Sequence, residues 1–165
     1  MATDPNIVRS LRSSAGLDRI DRQLVLELQK NARISNKDLA ALVDLSPSTC
    51  LERVRRLRER GVFTGFHAAV NLALLGRPTQ AFISVRLQVH HRHLIDDFYD
   101  HVLRLPESIG VFHVTGSDDY VIHVAVPDTQ HLRSLVLDLT ARDEVEHVET
   151  RLIFAAVRKP AIEPL

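Results

Sequence analysis

The chain has 165 residues, enough for one domain or two small ones with a real core. Its 45% apolar and 25% charged residues are those of a soluble globular protein, and no apolar run approaches the roughly 20 residues that span a bilayer. Net charge is zero, yet residues 1–71 hold 12 Lys+Arg against 8 Asp+Glu and residues 72–165 hold 9 against 13, so a basic module precedes an acidic one.

Residues 1–16 have no sustained periodicity and no signal-peptide apolar core, so they read as a flexible tail. Leu17, Ile20, Leu24 and Leu28 repeat at helical spacing and predict a helix over 17–31. A second, short helix over 36–43 follows, with Ser35 as its cap, Asp38 at the capping-box position, and Ile34 and Leu39 spaced as a hydrophobic staple. Asp44 and Leu45 make a tight connection into a third helix. There Ser46 is the cap, Pro47 fits the first helical position and Gly61 suits a left-handed stop. Cys50, Val54 and Leu57 share one face of this helix; Ser48, Thr49, Glu52, Arg53 and Arg56 lie on or near the other. Cys50 is the single cysteine, which excludes an internal disulfide and fits a reducing compartment, by default the cytoplasm.

Alone, the third helix reads as a surface helix ending in a solvated charge run. A bracing helix, a capped short helix and a tight turn before it make a helix-turn-helix. The motifs Leu17-Asp18-Arg19-Ile20-Asp21, Asn31-Ala32-Arg33-Ile34-Ser35, Leu39-Ala40, Leu45-Ser46-Pro47-Ser48-Thr49, Arg53-Val54, Leu57 and Gly61-Val62 stand in the order seen in one group of proteins. In them the chain resembles the Lrp/AsnC (feast/famine) transcription regulators. Cys50 and Phe63 stand where that family has aliphatic residues, and both remain apolar.

Val62, Thr64, Phe66, Ala68 and Val70 alternate and predict a strand, with a hinge at Gly76-Arg77-Pro78. Next come a strand through Ala81, Ile83, Val85, Leu87 and Val89, a helix through Leu94, Phe98, Val102 and Leu105, strands over 111–115 and 120–126, a helix through Leu132, Leu135, Val136 and Leu139, and a strand over 148–157. The order β-α-β-β-α-β predicts a ferredoxin-like module, the layout of the family's effector-binding RAM domain. The expected fold is therefore α+β: tail 1–16, winged helix-turn-helix 17–65, strand and hinge linker 66–78, RAM domain 79–159 and carboxy-terminal tail 160–165.

The major groove admits a helix whose amino-terminal residues reach base edges, which points Pro47, Ser48, Thr49, Glu52 and Arg53 at double-stranded DNA. Arg56 and Arg60 are placed for phosphates, as are Ser35 and Lys37 near a helix start. Ser46 is a cap first, and Arg55, Arg58 and Arg60 also read as solvated charges. Thr115-Gly116-Ser117-Asp118-Asp119-Tyr120 resembles the family's Gly-x-x-Asp effector loop, though a plain hairpin turn uses the same residues. The resemblance implies an amino acid or related metabolite there, its carboxylate met by backbone N–H groups around Gly116 and its ammonium by Asp119. The family's Gly-Val-x-x-Thr-x-Thr stands here as Glu144-Val145-Glu146-His147-Val148-Glu149-Thr150, so Val148 replaces a hydroxyl and Thr150 fits.

No cofactor is implied, and no phosphate-cradling glycine loop, nucleophile elbow or zinc signature is present. His90, His91 and His93 read as a solvated junction, and His113 with His123 as packing residues on paired central strands. An alternative is an enzyme similar to the siroheme decarboxylases, which share the two-module build and would use His113 or His123. Helices cover one side of the sheet, so a face carrying Ile83 and Val85 needs a partner, while Phe82, Val114, Val121 and Ile153 lie in the opposite phase to Ile83, Val111, Ile122 and Leu152. A sheet-to-sheet homodimer follows, and the resemblance implies further assembly of dimers, to a tetramer or octamer.

Overall fold

The computed structural model describes residues 16–88 and 92–165. Residues 1–15 of the segment read as a tail, Val89 of the expected strand, and the His90 and His91 positions lie outside them, as do the side chains of His93 and Leu94. The described residues form two compact units, one running through Ala69 and joined by Val157–Leu165, the other covering Val70–Ala156.

The first unit holds three helices, α1 (Arg19–Lys30), α2 (Asn36–Leu42) and α3 (Pro47–Glu59). Each start is capped as its sequence dictates. Asp18 accepts from the N–H of Asp21 at 2.8 Å, Ser35 from that of Asp38 at 3.1 Å and Ser46 from that of Thr49 at 3.2 Å. The stops are equally specific. At the end of α3, Gly61 has φ +73°, with Val62 N–H on the Leu57 carbonyl at 3.0 Å and Gly61 N–H on that of Arg58 at 2.9 Å. These two bonds are a Schellman motif. The turn after α2 repeats it with Asp44 at φ 53° and Leu45 N–H on the Ala40 carbonyl at 2.9 Å. Aspartate is one of the few side chains that tolerate the left-handed region. The core is Leu24, Val25, Leu28, Leu39, Ala40, Val43, Cys50 and Leu57.

The strand expected over 62–70 does not form; residues 63–71 run without regular structure. Alternation supplies two faces, but a strand also needs a neighbour to complete its hydrogen bonds, and the described chain offers none there. Phe66 instead lies 5.4 Å from Phe63, with the Arg58 guanidinium 4.9 Å above its ring. The carboxy-terminal segment, read as a tail, returns to α1. Gln29 donates to the Ile162 carbonyl at 2.9 Å and accepts its N–H at 3.0 Å.

The second unit runs β1 (Thr79–Leu87), α4 (Arg92–Arg104), β2 (Ser108–His113), β3 (Tyr120–Val126), α5 (Thr129–Thr140) and β4 (Val145–Leu152). Its antiparallel sheet has the order β2-β3-β1-β4. Ile83, Val85, Ile122 and Val124 meet Phe98 and Val102 of α4 and Leu132, Leu135 and Leu139 of α5 in one buried cluster. This reverses the expected faces, since Ile83 and Val85 point to the helices. The uncovered face carries Phe82, Ser84, Val121 and His123. Period two defines the two sets; the helices choose between them, and they meet the wholly apolar set Ala81, Ile83, Val85 and Leu87.

Two strands are displaced from their expected bounds. β2 begins at Ser108, extended through a bulge that pairs Ser108 with Val124 and Gly110 with His123. β4 runs from Val145 to Leu152, which pairs with Ala81, and past its end the Ile153 N–H still reaches the Gln80 carbonyl at 2.9 Å. Val114 and Ile153 therefore belong to no strand. β2 is also an edge strand, and His113 and His123 do not approach each other. His113 stacks on Tyr120 at 4.9 Å on the helix side, and His123 packs on Phe82 at 4.8 Å on the other.

Candidate nucleic-acid and effector sites

The amino-terminal half of α3 is open. Pro47, Ser48, Thr49, Glu52 and Arg56 are exposed, and Ser48, Thr49, Glu52, Arg53 and Arg56 line one shallow concavity. The Asn36 amide donates to the Pro47 carbonyl at 2.7 Å and ties the start of α3 to that of α2. The hydroxyls around that start are shared: Ser46 Oγ lies 2.8 Å from Thr49 Oγ1 and 3.1 Å from Ser48 Oγ. Lys37 is exposed at the start of α2. Ser35 is exposed too, but its hydroxyl is engaged with Asp38, donating to the carboxylate at 2.6 Å.

Arg53 departs from its expected orientation. Its guanidinium is turned onto α1, with Nη1 2.6 Å from Asp18 Oδ2 and 2.8 Å from Asp21 Oδ1. Asp21 is 5% exposed, an almost buried carboxylate that needs a cation. Arg60 approaches the same carboxylate at 4.0 Å. The signal was present in the sequence, since Asp18 and Asp21 open α1 on one turn, but only tertiary packing aims them at α3.

The hydrogen bond from the Asp21 N–H, then that from Arg53, hold the Asp18 carboxyl below its ordinary value. Asp18 and Asp21, through the same contacts in that order, raise Arg53 above its own. A depressed carboxylate contributes stability that is complete above its unfolded value, about 4, and is lost as pH falls through the lower folded value. Acidification below about pH 4, the unfolded value, should therefore loosen α1 against α3. Faster amide exchange in the first turn of α1 is the expected result, and an Asp18→Asn variant should lose part of that pH response.

The loop from β2 to β3 is closed and pinned. Gly116 has φ +125°, a conformation that L side chains rarely adopt. Val114 N–H reaches the Asp119 carbonyl at 2.9 Å, and Asp119 N–H reaches the Val85 carbonyl at 2.9 Å. Asp119 Oδ2 accepts from Leu87 N–H at 2.8 Å, while Arg86 Nε donates to the Ser117 carbonyl at 2.6 Å. Asp119 is thus half used by the backbone of β1, and its other oxygen makes no hydrogen bond to a described residue. Ser117 is exposed and Asp118 half-buried.

Tyr120 is 3% exposed, and its ring meets Phe98 at 5.4 Å and Tyr99 at 6.1 Å. Burial, then the charges of Asp96 and Asp119, pushes its hydroxyl above the ordinary value. Val85 links the loop to β4, because its ladder partners are Tyr120 on one side and Val148 on the other. Val148 is half-buried against the core, whereas Thr150 stands exposed opposite Ile83, further along. The sheet thus gathers residues 116–120 and Val148 at one end. Among the described residues, no three His, Cys, Asp or Glu side chains are grouped to hold a metal ion.

Comparison with known proteins agrees in both units. Residues 17–64 match the winged helix-turn-helix DNA-binding family, and residues 80–161 match the Lrp/AsnC ligand binding domain. The chain is 43% identical to the HTH-type transcriptional regulator AldR of Mycolicibacterium smegmatis over 143 residues, 86% of this chain and 84% of AldR. It is 38% identical to the leucine-responsive regulatory protein of Escherichia coli K12 over 125 residues, 76% of each chain. A Neisseria meningitidis transcriptional regulator solved as its L-Met complex superposes with a TM-score of 0.82 at 28% identity, over 87% of this chain and 94% of that one. The chain belongs to the Lrp/AsnC family: it is a DNA-binding transcription regulator with a ligand-binding domain.

Proposed function

We propose that the chain reads a pseudo-palindromic operator with two copies of α3 and responds to an amino acid held beside residues 116–120. The observation that carries this reading is the open start of α3, where Pro47, Ser48, Thr49, Glu52 and Arg56 stand exposed between two capped helix starts. Partial positive charge at a helix start favours phosphate, and Lys37 beside the start of α2 adds a full one. One short helix gives little specificity, so two copies are needed. The second copy docks on the uncovered sheet face, where Phe112 is 52% exposed beside half-buried Phe82 and Val121. Dimers of this kind can stack further into tetramers or octamers.

In the effector site, Gly116, Ser117, Asp118 and Asp119 supply backbone N–H groups and carboxylates, with Tyr120, Val148 and Thr150 around them. L-methionine is the first ligand to test, because the meningococcal regulator was solved with it. The chain acts as a regulator and not as an enzyme. His113 and His123 face opposite sides of the sheet and cannot serve one substrate. The working compartment is the cytoplasm; among the described residues no helix is long and apolar enough to cross a membrane.

Fluorescence anisotropy with a duplex from upstream of the chain's own gene should show sequence-selective binding that weakens steeply between about 50 and 200 mM salt. Equal affinity for a scrambled duplex would overturn the operator reading. Calorimetric titration with each amino acid should give heat for at least one, and silence from all would remove the effector reading.

A further inference from the structure

The third helix and the residue that caps its end carry five arginines, at 53, 55, 56, 58 and 60, and four of them are engaged within the protein. Arg53 holds two carboxylates of α1 at 2.6 and 2.8 Å, and Arg60 faces one of them at 4.0 Å. Arg55 pairs with Glu52 at 3.1 Å and Glu59 at 3.7 Å, and Arg58 covers the ring of Phe66. Arg56 is exposed and makes neither an ion pair nor a ring contact with a described residue.

The engaged arginines differ in what holds them. The pairs of Arg55 join exposed side chains in solvent, where such contacts are weak and exchangeable. Asp21 has a side chain only 6% exposed, and Arg53 is its near cation. Moving Arg53 to a phosphate would leave that carboxylate buried with only the distant Arg60, a costly state. Asp18 is committed as well, since Oδ1 caps α1 while Oδ2 binds Arg53. One guanidinium thus joins the first turn of α1 to the second turn of α3.

We propose that Arg53 is a positioning residue, fastening the recognition helix to α1 through Asp18 and Asp21, and that Arg56 is the arginine of α3 that meets the DNA phosphates. The inference rests on the operator reading above and divides its labour. It also fixes a sign. If Arg53 were a phosphate contact, Asp18 and Asp21 would compete with DNA for it, and neutralising them would tighten binding. If Arg53 positions the helix, neutralising them releases α3 and weakens binding, even though two negative charges have been removed from beside a polyanion.

The test uses the full chain and its upstream duplex, with affinity measured across a salt series. Arg56→Ala should reduce the slope of log affinity against log salt by about 0.9 for each bound protomer. Arg53→Ala should weaken binding while leaving that slope unchanged. Asp18→Asn/Asp21→Asn, nearly isosteric, should weaken binding roughly tenfold, within the range that positioning and contact changes produce. Amide exchange of α3 without DNA provides a readout independent of the operator, and it should be faster in the double Asn variant than in the wild type. Tighter DNA binding by that variant, a reduced slope for Arg53→Ala, or unchanged α3 exchange would each overturn the positioning role. Loss of DNA binding by the wild-type chain, with α3 exchange still faster in the variant, would instead count against the operator reading.

Discussion

Leu57→Ala will cost the helix-turn-helix unit about 2–5 kcal/mol and abolish operator binding at ordinary temperature. Leu57 is 1% exposed and sits where α3 meets both other helices, in a cluster with Leu24, Leu28, Leu39 and Cys50. Truncation there removes methylenes from a close-packed site and leaves a cavity lined by residues fixed in three helices. A unit of this size has little stability in reserve, so a loss of that magnitude unfolds much of it. Leu57 is buried away from the open face of α3, and its effect comes from the scaffold that holds Ser48, Thr49 and Arg56 together. Helix content by circular dichroism should fall along with DNA affinity. A variant that kept full helicity and melting temperature while losing affinity would show that Leu57 acts at the interface itself.

Phe98→Ala is the counterpart in the second unit, with an expected cost of about 3–5 kcal/mol. Phe98 is fully buried, the largest of the fully buried side chains, and its ring lies 5.4 Å from that of Tyr120. Tyr120 follows directly on the pinned loop, so loss of Phe98 removes the wall behind the proposed effector site. Amide protection should vanish across β1, β3 and α4, and effector binding should be lost. The two cores share no residue, so α1–α3 should keep most of their protection. Coincident loss of protection in both units would contradict this separation.

Most of the element order was legible because local signals agree with the packing. Ser35, Ser46, Pro47 and Gly61 mark helix ends by chemistry that operates within one turn, and the spacing of Leu24 and Leu28 needs only a helical period. What failed depended on partners distant in sequence. The alternation through Thr64, Phe66 and Ala68 found no neighbouring strand. β4 stopped at Leu152 opposite Ala81 of β1, a partner 71 residues away. The faces of the sheet were exchanged although Ser84 and Arg86 already marked the less apolar set of β1.

The site was read with similar limits. Exposure of Ser48, Thr49 and Arg56 follows from the phase of Cys50 and Leu57. The inward turn of Arg53 does not, because it depends on two carboxylates more than thirty residues earlier. Nor could Asp119 be seen from the sequence to spend one oxygen on the Leu87 N–H. The return of Ile162 to Gln29 had no local signal at all; a glutamine on a polar helix face carries no mark of a backbone partner 133 residues on.

Amide hydrogen exchange of the full chain, with and without saturating operator duplex, bears most directly on the claim that the starts of α2 and α3 form the DNA-reading face. New protection should concentrate in residues 35–38 and 46–56, with little change across residues 79–87. Protection confined to the second unit, or none at saturation in residues 46–56, would contradict it.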